Sequence, residues 1–292
     1  MYYSPLRYPG GKAKLAAFMS FMIEELGLVG GTYVEPFAGG AGIALELLEK
    51  NIVRKIVIND FDNGVYSFWH AVLNETERFV YDIENVPLTI DEWNKQRYVC
   101  KNHSCKCSYE LGFATFYLNR TNYSGIIKGG VIGGKEQKGK WKMDARFKRA
   151  RLSTRIKEIA SRKQNIELYN EDIRDFLCTY IRSCDNRSLI YFDPPYFNKG
   201  KQLYLNFLTE SDHKEIKNGI QKYASCDWII TYDDVPEITE LYSTNAIMKY
   251  DLNYSARNSK SASEVIIFKR EDMIPSREDL YNSGVNINLR DI

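Results

Sequence analysis

The chain has 292 residues, of which 44% are hydrophobic and 13% aromatic. This composition is sufficient for a packed core and excludes an intrinsically disordered chain. No apolar run reaches the length of a membrane span (about 18 residues), and no basic segment followed by an apolar one begins the chain, so neither a membrane helix nor a signal peptide is predicted. The expected compartment is therefore the cytoplasm, where the six cysteines would be free thiols.

The basic residues are unevenly distributed, although the net charge is only +2. Residues 135–163 contain twelve Lys or Arg and three Asp or Glu, which gives this segment a net charge of +9. A solvated helix face can carry such a charge. Trp141, Phe147 and the glycine-rich sequence before them nevertheless favour a surface that faces phosphate groups.

Apolar runs that are typical of buried strands alternate with helical patterns along much of the chain. The predicted strands cover residues 32–35, 55–60, 165–169, 188–193, 227–232 and 264–268, and the helices between them cover 43–50, 173–181 and 211–224. This alternation predicts an open, mostly parallel α/β sheet. Ligands of such sheets bind at the carboxyl ends of the strands.

Residues 65–163 interrupt the alternation. Helical patterns cover 68–83, 90–98, 109–118 and about 145–162, with a Gly- and Lys-rich stretch at 125–139. We therefore predict a discontinuous catalytic domain, residues 1–64 and 164–270, with an inserted and mainly helical domain at 65–163 between the second and third core strands. The polar tail, residues 271–292, is expected to pack loosely.

Cys100, His103, Cys105 and Cys107, within this insert, are candidate metal ligands by residue type alone. Their spacing is tighter than that of the usual zinc motifs, and no second pair follows. No metal site is predicted.

A glycine-rich turn, Val34 to Gly42, connects the first strand to its helix. Glycines allow a ligand to approach the backbone closely at a helix N-terminus, although tight packing alone can also require them. The spacing of the glycines differs from the G-x-G-x-x-G motif of dinucleotide-binding turns. This difference favours S-adenosylmethionine over a dinucleotide as the ligand. The second strand ends in Asn59-Asp60, where a carboxylate can bind ribose hydroxyls or, alternatively, cap a helix.

Asp193-Pro194-Pro195-Tyr196 follows the predicted strand 188–193. An exocyclic amino nitrogen of a base is a weak nucleophile because its lone pair is delocalised into the ring. The Asp193 carboxylate and the Pro194 carbonyl can accept hydrogen bonds from the two N–H groups of this nitrogen. Tyr196 can stack on a base turned out of a duplex. A rigid turn after an edge strand is the structural alternative. The motif predicts amino methylation without separating adenine from cytosine.

Five short motifs occur in a specific order: R-Y-P-G-G-K at 7–12, E-P-F-A-G-G-A-G at 35–42, N-D at 59–60, L-N-R-T-N-Y-S-G at 118–125 and D-P-P-Y at 193–196. The series resembles the Dam-like (D12 class) DNA adenine-N6 methyltransferases over roughly residues 4–268. The resemblance implies a Rossmann-like fold and methyl transfer from S-adenosylmethionine to adenine N6 in a short DNA sequence, after base flipping. Amino methylation of cytosine or of RNA, and a catalytically idle DNA-binding scaffold, remain alternatives.

The resemblance also implies roles for individual residues in the cofactor site. Tyr8 and Lys12 would wall the site, although the residues alone indicate only a surface loop there. The turn from Ala38 would follow the methionine part of the cofactor, Asp60 would bind the ribose, and Asp172 would approach the adenine. The candidate cofactor-binding residues are Tyr8, Lys12, Glu35, Phe37, Ala38, Gly39, Gly42, Asp60, Asp172 and Asp193.

In the insert, the resemblance implies that Arg120, Asn122 and Tyr123 recognise double-stranded DNA. An Arg120 paired with a carboxylate at a helix end is the alternative. Phosphate contacts are expected from the basic residues, which are Lys128, Lys135, Lys138, Lys140, Lys142, Arg146 and Lys148. The loop at 254–258 is similar to another family loop near DNA. We expect a monomer encoded by a bacterium or phage and associated with the nucleoid, with a restriction endonuclease of the same site as a candidate partner.

Overall fold

The computed structural model describes residues 3–7, 15–197, 208–251 and 263–292. Its strands are β1 Thr32–Glu35, β2 Lys55–Asn59, β3 Ile166–Tyr169, β4 Ser188–Phe192, β5 Asp227–Asp233, β6 Ala246–Asp251, β7 Ser263–Phe268 and β8 Leu289–Arg290. Its helices are α1 Ala16–Glu25, α2 Gly42–Glu49, α3 Asn63–Asn74, α4 Thr76–Asn85, α5 Ile90–Asn102, α6 Tyr109–Thr121, α7 Arg149–Ser161, α8 Ile173–Thr179, α9 Glu210–Tyr223, α10 Pro236–Leu241 and α11 Arg277–Asn282. No helix within these ranges is long and apolar enough to cross a membrane.

The described strands form one sheet in the order β3-β2-β1-β4-β5-β7-β6-β8. The first five in this order are parallel neighbours. β7 is antiparallel to both β5 and β6, and β8 is antiparallel to β6. The chain order reverses between β1 and β4, which in a doubly wound sheet opens a crevice at the carboxyl ends of the strands. The predicted Rossmann-like α/β sheet is confirmed.

Alternate residues of the central strands enter two hydrophobic clusters, one on each face of the sheet. Tyr33 of β1 belongs to the first cluster and Val34 to the second. The first cluster includes residues of α1 to α7, and the second includes residues of α8 to α10. Every residue of β4 is buried, as expected for a parallel strand that is covered on both faces.

The inserted segment forms helices α3 to α7 between β2 and β3. Aromatic rings join α3 to α6, with Phe68 and Phe116 stacked at 5.8 Å between their centroids. The predicted helix over 68–83 is two helices, because the chain leaves helical geometry at Glu75 (φ −128°, ψ 39°). Side chains of the insert and of one sheet face form the same cluster. Because this shared cluster does not show where one domain ends and the other begins, the domain boundaries at 65 and 163 remain a prediction.

The C-terminal tail packs onto the protein, which corrects the expectation of a loose segment. Leu289 and Arg290 form β8, which pairs with Tyr250 and Lys249 of β6. Leu280 of α11 and Leu289 are 4% and 3% exposed. A few apolar side chains in an otherwise polar tail are sufficient to dock it, because their burial is favourable.

Candidate active site

The glycine-rich turn after β1 has an unusual backbone. Gly39 and Ala41 have positive φ angles of 46° and 45°, and Ala41 is the N-cap residue of α2. A non-glycine residue in this left-handed region costs roughly 1–3 kcal/mol, and such strain is concentrated at functional sites. The Glu35 carboxylate supports the turn from β1, because its Oε1 accepts a hydrogen bond from the Ala44 backbone amide at 3.1 Å.

Asp60, directly after β2, ties this turn to the neighbouring strand. Its Oδ2 accepts from the Gly39 backbone amide at 2.7 Å, and its Oδ1 accepts from the Asp62 amide at 2.9 Å. Desolvation, together with the nearby Asp62 charge, raises the pKa of Asp60 to about 7. Desolvation likewise raises the pKa of Glu35 to about 8. The turn is therefore bordered by two carboxyl groups that gain and lose protons near neutral pH.

Asp193, directly after β4, is held by the neighbouring strand β5. The Thr231 hydroxyl donates to Asp193 Oδ1 at 2.9 Å. The Tyr191 and Thr231 hydroxyl oxygens are 2.7 Å apart. Because Thr231 gives its proton to Asp193, Tyr191 is the donor in this second bond. Thr231 and Tyr191 are 0% and 2% exposed, so this chain of hydroxyl groups lies inside the protein.

One cleft of about 790 Å³ brings these elements together. Its sheet side contains the glycine-rich turn, the ends of β2 and β4, and the start of α8. Every described candidate for cofactor binding lines it: Glu35, Phe37, Ala38, Gly39, Gly42, Asp60, Asp172 and Asp193. Asp172 also caps α8, since its Oδ1 accepts from the Arg174 amide at 2.9 Å. Tyr8 and Lys12 lie outside the described residues.

The part of the cleft lining that comes from the N-terminal segment and the insert carries positive charge. Its cationic side chains are Arg7, Arg120, Arg146, Lys148, Arg151 and Arg155. We call these six residues the cationic wall. The acidic sheet side and the cationic wall therefore face the same space, which suits a ligand or ligand pair with both positive and negative groups.

The structure separates the predicted catalytic residues. Asp193 and Pro195 line the cleft, whereas Pro194 and Tyr196 are buried beside it. Tyr196 is 9% exposed, and its hydroxyl donates to Glu264 of β7. The ring is therefore anchored behind the cleft lining in this conformation, and its stacking on a base remains a prediction.

Arg120 lies at the end of α6, but its partners are not carboxylates. Its guanidinium donates to the backbone carbonyls of Arg146 and Pro5, so the alternative of a carboxylate pair is wrong. Desolvation and the neighbouring guanidinium groups lower the pKa of Arg120 to about 10. Arg120 thus joins the N-terminal segment to the insert and also lines the cleft.

Asn122 is a correction to the expected DNA-contacting set. Its side chain is 0% exposed. Its Oδ1 accepts from Trp93 Nε1 at 2.7 Å, and its Nδ2 donates to the carbonyls of Ile126 and Ile127 at 2.9 and 3.0 Å. All of these bonds are internal, so Asn122 shapes the loop and presents no surface to DNA in this structure.

Asn119, which the sequence did not single out, connects two of the motifs. Its Oδ1 accepts from the Arg7 amide at 2.7 Å, while its Nδ2 donates to the Arg7 carbonyl at 2.8 Å and to the Gly125 carbonyl at 3.0 Å. A Cβ on Gly125 would lie 2.2 Å from the Arg7 carbonyl oxygen, so only glycine permits this contact. The motif at 118–125 therefore holds the N-terminal segment against the cleft.

The remaining DNA-binding candidates occupy two places. Arg146 and Lys148 belong to the cationic wall. Tyr123, which is 55% exposed, and the exposed Lys128 and Lys140 lie on the insert surface outside the cleft lining. The loop at 254–258 lies outside the described residues.

Some of the positive charges in residues 135–163 form interactions inside the protein. Arg149 donates to the backbone carbonyls of Ile83 and Val86, where α4 ends. Arg155 pairs with Glu158 and Arg162 with Glu49. These interactions could not be predicted from the sequence, because the partners of each cation depend on how the helices pack.

The cysteine-rich segment has an ordinary environment. Cys100 Sγ lies 3.9 Å from the Thr115 hydroxyl oxygen, and burial raises the pKa of this thiol to about 11. His103 Nδ1 faces the Cys100 carbonyl oxygen at 2.9 Å. Across the described part of the chain, no group of three or more His, Cys, Asp or Glu residues could hold a metal ion.

A doubly wound sheet, a glycine-rich turn bordered by carboxyl groups and Asp193-Pro194-Pro195 at the switch point together define an S-adenosylmethionine-dependent methyltransferase. Within this class, the chain belongs to the family of D12 class N6 adenine-specific DNA methyltransferases, whose family model matches residues 8–256. The resemblance inferred from the five motifs is confirmed.

Two known proteins illustrate this relationship. The Type II methyltransferase M.MjaIII of Methanocaldococcus jannaschii is 23% identical over 225 residues, which cover 72% of this chain and 74% of that protein. Among solved structures, the rRNA methyltransferase aviRa from Streptomyces viridochromogenes has a TM-score of 0.39 and 12% identity, covering 95% of this chain and 90% of that chain. A likeness of this size says nothing about the substrate of the present chain.

Proposed function

We propose that this protein is a site-specific DNA methyltransferase that transfers a methyl group from S-adenosylmethionine to the N6 amino group of adenine in a short DNA sequence, after base flipping. The observation that carries the proposal is the placement of Asp193. Its carboxylate lies at the switch point of the sheet, oriented by Thr231, and lines the same cleft as the glycine-rich turn.

The residues on the sheet side of the cleft fit S-adenosylmethionine. Asp60 offers carboxylate lone pairs to ribose hydroxyls, and Glu35 adds a second carboxyl group near the cationic methionine end. Asp172 at the start of α8 suits the adenine edge. When bound, the cofactor supplies an electrophilic methyl group. Tyr8 and Lys12 would complete this site from the N-terminal segment.

Asp193 prepares the target nitrogen. Its carboxylate accepts a hydrogen bond from one amino N–H, and the Pro194 carbonyl accepts from the other. These bonds oppose delocalisation of the nitrogen lone pair into the ring, so the nitrogen becomes more nucleophilic. The Tyr191–Thr231–Asp193 bonds fix the carboxylate before the substrate arrives, and such preorganisation lowers the cost of reaching the transition state.

The cationic wall supports DNA as the substrate. Its guanidinium and ammonium groups can neutralise backbone phosphates next to the displaced nucleotide, which makes affinity depend on salt. Base flipping is required because a target amino group inside a duplex cannot enter a cleft of this kind. Tyr123 on the insert surface is a candidate to fill the vacated stack.

Finer aspects of the biology are also proposed. Because the similar protein M.MjaIII is named a Type II methyltransferase, a restriction endonuclease that cuts the same site is the expected genetic partner. We propose that the enzyme acts as a monomer on double-stranded DNA in the cytoplasm.

Expression in a host without DNA methylation, followed by single-molecule sequencing of the host genome, tests the proposal. N6-methyladenine at one short motif is expected, and Asp193→Ala expressed to the same level should leave none. The same data report N4-methylcytosine, which would shift the target to the cytosine amino group. Purified wild-type protein that binds S-adenosylmethionine but leaves varied DNA and RNA unmethylated would indicate a catalytically idle scaffold.

A further inference from the structure

Glu264 is a buried carboxyl residue that the catalytic scheme does not use. It lies on β7, is 2% exposed, and does not line the cleft. Burial of an ionised carboxylate is unfavourable by several kcal/mol unless hydrogen bonds compensate. The partners of Glu264 therefore show what the burial achieves.

Two tyrosine hydroxyls donate to this carboxylate. Oε1 accepts from Tyr196 at 2.5 Å, and Oε2 accepts from Tyr250 of β6 at 2.5 Å. Each oxygen of the buried carboxyl group thus accepts one hydroxyl group, and loss of either partner would leave a buried polar atom without that hydrogen bond. The far end of the Tyr196 ring is thus fixed by β7, while its backbone follows β4.

Strand β5 holds the backbone that directly follows Tyr196. Asp233 is directly opposite Glu264 in the antiparallel register of β5 and β7. Its Oδ1 accepts from the Phe197 amide at 2.9 Å. With the Thr231 bond to Asp193, the segment 193–197 is held by side chains of two neighbouring strands. A ring held at its hydroxyl and at the next peptide has little freedom to rotate.

We propose that Glu264 is a positioning residue that anchors the Tyr196 ring behind the cleft lining and thereby fixes Asp193 and Pro195 for the target base. Tyr196 adjoins Pro195, which lines the cleft, so a shift of the anchored ring would displace Pro195 and Asp193 at the cleft surface. The inference rests on the proposed base-methylating function. Glu264 acts through Tyr196 and does not touch the substrate.

Variants at both ends of the bond test the inference. Glu264→Leu removes the acceptor, and Tyr196→Phe removes the donor and keeps the ring. Glu264→Gln preserves the shape and keeps one acceptor oxygen, while its NH2 group can donate to the oxygen of the second hydroxyl. We expect Glu264→Leu and Tyr196→Phe each to lower kcat about ten- to a hundred-fold, as loss of one buried hydrogen bond that leaves its partner unsatisfied predicts. Glu264→Gln should recover kcat to within about five-fold of wild type.

A double-mutant cycle separates positioning from general destabilisation. If Glu264 acts through the Tyr196 hydroxyl, the double variant should lose little more than either single variant. The dissociation constant of S-adenosylmethionine should not change. In duplexes with 2-aminopurine at the target, the fluorescence change on flipping should be altered alike in both variants. The control is Tyr117→Phe, which removes a buried hydroxyl bond to the Pro87 carbonyl in the insert and should leave kcat unchanged.

Two results would overturn the positioning role. One is wild-type kcat in Tyr196→Phe, and the other is a double variant whose loss equals the product of the single losses. Should Glu264→Leu fail to fold, the kcat and the 2-aminopurine signal of Tyr196→Phe decide the question, because this variant removes the same hydrogen bond from its donor end. Failure of the proposed function is seen separately, because wild-type protein would then leave no methylated base in the sequencing experiment.

Discussion

The two sides of the cleft are built in different ways. On the sheet side, Glu35 is the last residue of β1, and Asp60 and Asp193 directly follow β2 and β4. Their carboxylates are held by hydrogen bonds from backbone amides or from a buried hydroxyl. On the cationic wall, Arg146, Lys148 and Arg151 are exposed side chains near the start of α7. The sheet side fixes its groups before any ligand binds, whereas these three side chains of the wall are long and exposed to solvent.

This difference suggests a division of roles. Methyl transfer depends on small distances and angles, so its groups must be held in advance. Attraction of a polyanion depends on charge, which tolerates side-chain motion. The sheet side should therefore respond to loss of single atoms, and the cationic wall should respond to loss of charge and to salt.

The largest expected effect is at Asp193. Asp193→Ala and Asp193→Asn should lower kcat about a thousand-fold, since loss of a preorganised polar contact to the reacting group costs this much. Binding of S-adenosylmethionine should change less than about three-fold, because other residues hold the cofactor. Single-turnover methyl transfer and calorimetric titration measure the two quantities. An Asp193→Ala variant that still transfers methyl groups at the wild-type rate would show that the sheet side does not take part in the chemistry.

Thr231→Val should lower kcat about ten-fold, because the isosteric change removes one hydrogen bond to Asp193. Thr231→Ser keeps the hydroxyl and should approach wild-type activity. The ratio of the two kcat values at saturating DNA and cofactor is the measurement. Equal rates for the valine and serine variants would show that Asp193 does not need orientation from β5.

Changes on the cationic wall should act on DNA affinity instead. Arg146→Gln, Lys148→Gln and Arg151→Gln should each weaken binding by a few-fold and reduce the slope of log K against log salt by about 1. Lys214→Gln is the matched control, since this exposed lysine on α9 pairs with Glu210. Fluorescence anisotropy over a range of salt concentrations gives the slopes. Loss of kcat at saturating DNA would contradict the division of roles.

The smallest effect concerns pH. The pKa values of Asp60 and Glu35 are raised to about 7 and 8, so the folded protein without cofactor binds more protons than the unfolded chain. Its stability should fall as pH rises from the unfolded pKa, about 4, through these values. A cationic cofactor favours the ionised carboxylates, so its affinity should rise a few-fold from pH 6 to pH 8.5. Melting curves and titrations should show both trends, and Asp60→Asn should reduce them.

Long buried strands and motif residues could be predicted from the sequence. Strands β1 to β5 and β7 appear as apolar runs, and Asp60 and Asp193 follow such runs directly. β6 was not predicted, because Lys249 interrupts the apolar pattern of its sequence A-I-M-K-Y-D. In the structure this lysine pairs with Asp234. β8 was not predicted either, because its two residues carry no periodic signal. In both cases the partner strand, not the local sequence, defines the strand.

The supporting residues of the site could not be predicted for a related reason. Thr231, Asp233 and Glu264 gain their roles from the register of β4, β5 and β7, which no local pattern encodes. Asn122 shows the opposite error, since a polar residue in a recognition motif is fully buried. A motif identifies the residues that matter, but only the packing shows which of them reach the ligand.

The single hydrophobic cluster that joins α3 to α7 with one sheet face has a practical consequence for redesign. The insert is not a cassette that can be exchanged between enzymes to transplant specificity, because its removal would uncover the apolar face of the sheet. On the proposed DNA-contacting role of the insert surface, libraries for new target sequences should instead be confined to the exposed side chains around Tyr123, Lys128 and Lys140, with the helices beneath left unchanged.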